Sequence, residues 1–375
     1  MGSSITSGTT AVLSTLHDPL CQDLAARFGQ EAARLYVLAN WEALEKYRTL
    51  AQRYACSWEE QPHYRYAMTQ AQAERLKVGG RLLGSLGFAA AYHKETPCLF
   101  LWPGRCICRV WPNFIRCNFI WSGFRAEHSR IHRSWESPMG WPLRSGAESW
   151  PEDHCCHPLS PGPFRGLYFY EALSAQVLCD CPGGGPDVEG TYAGMGASGI
   201  SLRNAGNLLF LSGGRHRTGG KRQLGDGAEL CRPSFPGAAG GVCLGQPGLH
   251  DPGRIALCRA LQPHTPDLYV ATGFGAWGMT NSMAAATLLA DLVQGKKSPY
   301  AAVYTPLPLY AAAPAAFNLG HTVSNFLRLT PKRCSHMGCA LKWNPAEHSW
   351  DCPCHGSRFT ADGSVLDGPA QSLWI

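Results

Sequence analysis

The residues with the most chemistry to offer lie near the end of the chain. Cys334-Ser335-His336-Met337-Gly338-Cys339 is followed by Cys352-Pro353-Cys354-His355-Gly356-Ser357. Each segment pairs a cysteine with a histidine on a short glycine-bearing loop, as C-x-H and C-x-x-H, and two further cysteines sit in the same loops. Two thiolates and two imidazoles are a donor set for a [2Fe–2S] cluster in which one iron takes sulfur ligands and the other nitrogen. Neutral imidazoles in place of thiolates make the reduced state less disfavoured and lift the potential to roughly −150 to +300 mV. Gly338 and Gly356 let backbone amides approach the sulfurs, and Pro353 stiffens the second loop. Zinc is the competing reading, but zinc fingers space their ligands as C-x(2–4)-C and H-x(3–5)-H, which a C-x-H pair fits badly.

A second chemical feature is Gly273-Phe274-Gly275-Ala276-Trp277-Gly278, a G-x-G-x-x-G string between a strand expected over Asp267–Thr272 and a helix expected over Met279–Val293. The usual dinucleotide fingerprint opens a βαβ unit. Here no strand is expected after the helix, because Tyr300–Pro306 is flanked by prolines. What remains is local: a glycine turn lets a ligand meet the backbone, and the amino end of the helix favours a partly negative group.

The two cysteine-histidine loops resemble the Rieske iron–sulfur family over Arg333 to about Gln371, including Trp343-Asn344-Pro345 and Trp350-Asp351-Cys352. That resemblance implies Cys334 and Cys352 on one iron, His336 and His355 on the other, and a disulfide between Cys339 and Cys354. Three other segments resemble FAD-dependent oxidoreductases of the D-amino-acid/glycine oxidase class, in the subgroup fused to a C-terminal Rieske domain. They are Ala271–Gln294, Ser201-Leu202-Arg203-Asn204 with Gly213–Gly219, and the helical stretch 17–60. This resemblance implies an α/β (α+β) flavoprotein-like domain with a small C-terminal all-β Rieske domain. It implies FAD lined by Gly273, Gly275, Trp277, Gly278, Met279 and Thr280, with Thr9 and Thr10 approaching from the other side. Arg203, His216 and Arg217 are implied near the substrate pocket. The implied activity is hydride transfer from a small amine or amino acid to FAD, then electrons to the cluster and onward to an electron-transfer partner. The alternative is a Rieske electron-transfer module with a non-functional flavin domain. A Rieske oxygenase is set aside, since its second iron needs two His and a carboxylate downstream and no His follows His355.

The elements that must position these groups are legible only in part. Apolar residues at helical spacing predict helix over 20–55, broken at Gly29, and a third helix over Ala71–Leu86 ended by Gly87. Gly166–Phe169 and Asn207–Ser212 read as strands. Residues 1–305 are expected to form the flavoprotein-like domain, 306–330 a linker and 331–375 the cluster region. Within the first, 99–160 and 225–262 hold no hydrophobic period and depart from the family pattern, as out-of-frame segments would. The family's opening strand and glycine turn belong before Ser7, so the flavoprotein domain is expected to be truncated.

Composition sets outer limits. The 375 residues are 45% hydrophobic, enough for a sizeable core, and only 16% charged. Net charge is +6 without a run of five like charges, which argues against a nucleic-acid partner. No apolar run approaches the length of a transmembrane helix. No secretory leader is visible, so 17 cysteines point to a metal or redox site in the cytoplasm rather than a disulfide scaffold. His154-Cys155-Cys156-His157 is a weaker metal candidate, because adjacent residues do not easily aim at one ion.

Overall fold

The computed structural model describes residues 12–15, 17, 19–54, 56, 58–88, 90–92, 107–111, 115–117, 171–174, 179–182, 188, 190–195, 199–205, 208–213, 216–217, 247–250, 256–260, 269–304, 312–345, 348–354, 356–368 and 370–375. Helices α1 (Leu20–Phe28) and α2 (Gln30–Arg53) meet at Gly29, whose φ of 86° is cheap for glycine alone and breaks the helical path. One stripe of α2, with Ala33, Tyr36, Val37, Asn40, Ala43 and Leu44, is buried. It packs on α4 (Gly278–Val293) through Ala284, Ala285 and Leu288, and on α5 (Ala301–Tyr304) through Val303 and Tyr304. Helix α3 (Gln70–Ser85) is capped by Thr69, whose hydroxyl accepts from the Gln72 N–H at 3.2 Å, and Gly87 follows it at φ 87°.

The larger sheet is built on β2 (His63–Ala67), buried along its whole length. Its sequence alternates, so His63 and Arg65 face one side while Tyr64 and Tyr66 face the other. β1 (Trp58–Glu60) precedes β2 in the chain; on one side β2 pairs with β4 (Ile107–Trp111), with β3 (Ala91–Tyr92) at the edge. On the other side β8 (Thr191–Gly194) runs parallel to β2, and β9 (Ser201–Ala205), β10 (Leu208–Ser212) and β7 (Cys179–Pro182) follow antiparallel. The sheet order is β3-β4-β2-β8-β9-β10-β7. Tyr64 stacks on Tyr192 at 4.6 Å and fixes the parallel pairing from the far face. Smaller sheets pair β1 with β5 (Ile115–Cys117), β6 (Glu171–Ser174) with β11 (His216–Arg217) and β12 (Pro247–His250), and β13 (Leu257–Ala260) with β14 (Tyr269–Thr272).

Two expectations shift. The segments 99–160 and 225–262, expected to be without pattern, contribute β4, β5, β12 and β13. These strands are three to five residues long and are held by cross-strand partners rather than by their own periodicity. The expected linker carries helix α6 (Ala312–Phe326). The strand expected over Gly166–Phe169 lies outside the described residues. The cluster region folds as a four-stranded antiparallel sheet, β15 (Lys342–Asn344), β16 (Ser349–Asp351), β17 (Arg358–Phe359) and β18 (Val365–Asp367). Among the described residues no helix is long and apolar enough to cross a membrane.

Candidate functional site

The glycine turn is where the helical core meets the large sheet. Gly273 (φ 74°) and Gly275 (φ 59°) carry the chain from β14 into a 3-10 turn, Gly275–Trp277, that leads into α4. A Cβ on Gly278 would enter open space. The Trp277 ring lies flat on His17, centroids 4.4 Å apart and planes 19° apart. His63 meets the Trp277 ring edge-on at 6.4 Å, and the Arg65 guanidinium carbon stands 5.8 Å from its centroid. The sheet register carries this face further. His63 pairs Thr191, Thr191 pairs Arg203, and Arg203 pairs Phe210, so all four side chains share the face of Arg65. Arg203, 6% exposed, lies over the Phe210 ring at 4.7 Å. Tryptophan, two histidines and two arginines thus line one buried surface.

The histidines on it are neutral. Burial lowers both His17 and His63 to about 3, and the Arg65 charge pushes the same way. The His17 tautomer follows from its partners. The Ser14 carbonyl, 2.6 Å from Nε2, can only accept, so Nε2 carries the proton and Nδ1 accepts from the Tyr36 hydroxyl at 2.6 Å. Beyond Tyr36 the polar chain continues through Asn281 Oδ1, which accepts from the Tyr304 hydroxyl at 3.2 Å, and Asn40, which donates to Tyr304 at 3.0 Å. Burial raises both tyrosines above their ordinary value, so they remain protonated donors. Thr280 hydrogen-bonds the Ser14 carbonyl at 3.2 Å, and Met279 packs against the core. Both side chains therefore serve the core, and what they present at the helix start is backbone N–H.

The second centre is made by two loops of matched geometry. In the first, the Gly338 N–H donates to Cys334 O at 2.7 Å and the Cys334 N–H to Cys339 O at 2.9 Å. In the second, the Gly356 N–H donates to Cys352 O at 3.0 Å and the Cys352 N–H to Ser357 O at 2.7 Å. Both glycines sit at positive φ, 74° and 79°, as these turns require. Segment 370–375 ties the loops down. Arg333 and Ile375 exchange backbone bonds at 2.7 and 2.8 Å, Ser335 Oγ donates to Ser372 O at 2.7 Å, and the Ala370 N–H donates to Ser357 Oγ at 3.2 Å. Lys332 stands between the rings of Trp350 and Trp374, 4.1 and 4.7 Å from their centroids.

Cys334, Cys339, Cys352 and Cys354 are all buried in the small core around Phe359. The sulfurs of Cys339, Cys352 and Cys354 lie within 4.8 Å of one another. Cys334 and Cys352 share a hydrogen bond, which raises the Cys334 thiol. Cys339 accepts from Cys352 and Cys354 and is lowered, while Cys354 is raised by donating to it. The expected Cys339–Cys354 disulfide is not formed: both are free thiols, joined by that hydrogen bond rather than by a covalent bond. Both ring nitrogens of His336 are shielded from solvent. Buried soft donors on two rigid loops suit an iron–sulfur group. His355, Thr9, Thr10, His154, Cys155, Cys156 and His157 lie outside the described residues. The backbone of His216 and Arg217 is placed in β11, which pairs with β6, in a different sheet from Arg203.

Fold and loops together give a mixed α/β domain followed by an antiparallel β domain that carries the two cysteine-histidine loops. Residues 311–373 match the family model "Rieske [2Fe-2S] domain". Over 97% of its length the chain is similar to the Rieske 2Fe-2S iron–sulfur protein YhfW of Bacillus subtilis, 26% identical and covering 84% of that protein. A cytochrome b6-f complex iron–sulfur subunit of Nostoc is 57% identical over 37 residues, 10% of this chain and 21% of that one. In fold, the chain is similar to glycine oxidase from Geobacillus kaustophilus, with TM-score 0.57 and 14% identity over 81% of this chain and 89% of that one. It is also similar to iminodiacetate oxidase from Chelativorans, with TM-score 0.56 and 15% identity over 82% and 90%.

His17, His63 and Arg65 escaped the sequence reading. The Tyr/polar alternation of 63–67 signals a strand with its polar residues on one face, but nothing local says what that face meets.

Proposed function

We propose that this chain is a flavin-dependent oxidoreductase that acts on a small amine or amino acid and delivers the electrons to its own Rieske cluster and then to an electron-transfer partner. The observation that carries the reading is the Trp277 turn seated on a sheet face bearing Arg65 and Arg203, in one chain with the cluster loops. The glycine turn fits a flavin: Gly273 and Gly275 hold positive-φ conformations that bare the backbone, Gly278 borders open space, and the amino end of α4 favours a partly negative group. FAD bound there would supply an acceptor for a hydride from a carbon beside nitrogen, and a histidine-ligated [2Fe–2S] cluster would supply a one-electron acceptor. Cys334 and Cys352 would hold one iron, and His336 and His355 the other.

The chain's own residues then do three things. Arg65 and Arg203, 4% and 6% exposed, offer a substrate carboxylate charge-assisted hydrogen bonds away from water. His63 and His17 stay neutral at physiological pH and add no competing positive charge there. The His17–Tyr36–Asn281 chain fixes the plane on which Trp277 rests.

The test pairs an amino acid with its decarboxylated amine on FAD-reconstituted protein. Arg65→Met is expected to raise KM for the amino acid about tenfold to a hundredfold, the worth of a charged hydrogen bond, and to leave the amine unchanged. An equal effect on both, or none on either, would remove Arg65 from the substrate site. Protein that takes up iron and sulfide but no FAD would favour the electron-transfer module alone.

A further inference from the structure

We infer that, with its thiols reduced and no cluster assembled, the chain binds a single soft divalent cation, of the zinc(II) class, between Cys339, Cys352 and Cys354, with Cys334 as fourth ligand. The three sulfurs already lie within 4.8 Å of one another and all three residues are buried. In a tetrahedral site with metal–sulfur bonds of about 2.3 Å, neighbouring sulfurs stand about 3.8 Å apart. Closing the three-sulfur set therefore needs sulfur movements of about 1 Å or less, within the reach of side-chain rotation, while Cys334 stands outside that 4.8 Å set and has farther to move. Cys334 comes from the facing loop and its side chain already touches Cys352.

Nearby donors leave the site to sulfur. The Asp351 carboxylate, beside Cys352 in the chain, is engaged by Ser349 at 2.8 Å, Asn344 at 3.0 Å and Arg358 at 3.3 Å. An all-thiolate set selects soft or borderline metals over magnesium and calcium. The site uses Cys334 and Cys352, which the proposed cluster also needs, so one occupant excludes the other. It also uses Cys339 and Cys354, which a disulfide would remove. The inference stands apart from the flavin and shares two residues, Cys334 and Cys352, with the cluster.

Cobalt(II) is the probe, added to the reduced, cluster-free full chain without oxygen. The expected result is a thiolate-to-cobalt charge-transfer band with the intense visible bands of a tetrahedral site, saturating at one cobalt per chain. Cys339→Ser and Cys354→Ser should each weaken binding by more than about a hundredfold, beyond what loss of an outer-shell partner costs. Treating the unsubstituted chain with diamide, which takes two electrons and two protons from a thiol pair and leaves a disulfide, should abolish the bands. His336→Ala should bind cobalt undiminished while failing to assemble a cluster from iron and sulfide. Absence of the bands in the unsubstituted chain, or bands that survive both serine substitutions and diamide, overturns the inference. A chain that assembles the cluster yet binds no cobalt overturns this inference alone. One that binds cobalt yet assembles no cluster overturns the cluster reading alone.

Discussion

Arg358 and Asp351 form a buried ion pair one residue from Cys352, and replacing the arginine gives a graded test of what holds the second cluster loop. The side chains are 10% and 5% exposed, and Arg358 Nε stands 3.3 Å from Asp351 Oδ1. Arg358 also donates to Ser349 Oγ at 3.2 Å. Arg358→Met keeps most of the side-chain length and removes the charge. It leaves a buried carboxylate whose neutral donors include Ser349 and Asn344. Breaking such a pair costs about 3–5 kcal/mol, and the surviving donors place this case near the lower figure. About 3 kcal/mol is a shift of about a hundredfold in the folding equilibrium of the cluster domain. Urea unfolding followed by the visible circular dichroism of the cluster reads it directly. Arg358→Met with Asp351→Leu removes both charges and should recover most of the loss, because no unpaired charge remains. A loss under about 1 kcal/mol, the range of an exposed pair, would refute the reasoning. So would a double variant no more stable than the single one.

Three further outcomes follow from the same geometry. His17 and His63 are held at about 3 in the folded chain against an ordinary value of 6.5, so their contribution is complete above pH 6.5 and is lost as pH falls. At one pH unit below that value each costs about 1.4 kcal/mol, so the unfolding free energy of the larger α/β domain, from urea titrations, should drop by about 3 kcal/mol between pH 7.5 and 5.5, and a flat profile would count against their burial. Gly368→Ala places a Cβ 2.4 Å from Ser357 Cα at a φ of 97°, so cluster content per chain should fall to near zero, measured as bound iron and sulfide. Trp277→Ala removes the ring between His17 and Arg65 and should weaken FAD uptake, read by flavin fluorescence quenching, while iron content stays unchanged.

The cluster loops were legible because their chemistry is local. Ligand spacing, glycine at positive φ and the loop lengths all lie within 334–357, and the structure repeats one turn geometry in both. The break at Gly29 and the glycine turn before α4 were legible for the same reason. The sheet face was not. His17 reaches Thr280 across 263 residues and His63 reaches Thr191 across 128, and no periodicity spans such distances. Arg203 was found by resemblance, yet its neighbours on the face were not, because they arrive from β2 through strand pairing. The strands within 99–160 and 225–262 went unseen because segments of three to five residues take their conformation from their partners. Helix α6 was hidden by its Gly, Pro and alanine-rich composition, which reads as linker.

The central claim is that one chain joins a flavin site to a histidine-ligated [2Fe–2S] cluster. Its most direct test is a low-temperature electron paramagnetic resonance spectrum of the reduced full chain, with flavin quantified in the same sample. The account predicts the low-average-g signal of a cluster with two histidine ligands, lost in His336→Ala, together with bound FAD. An all-cysteine cluster signal, or iron-loaded protein that is free of flavin after reconstitution, would contradict it.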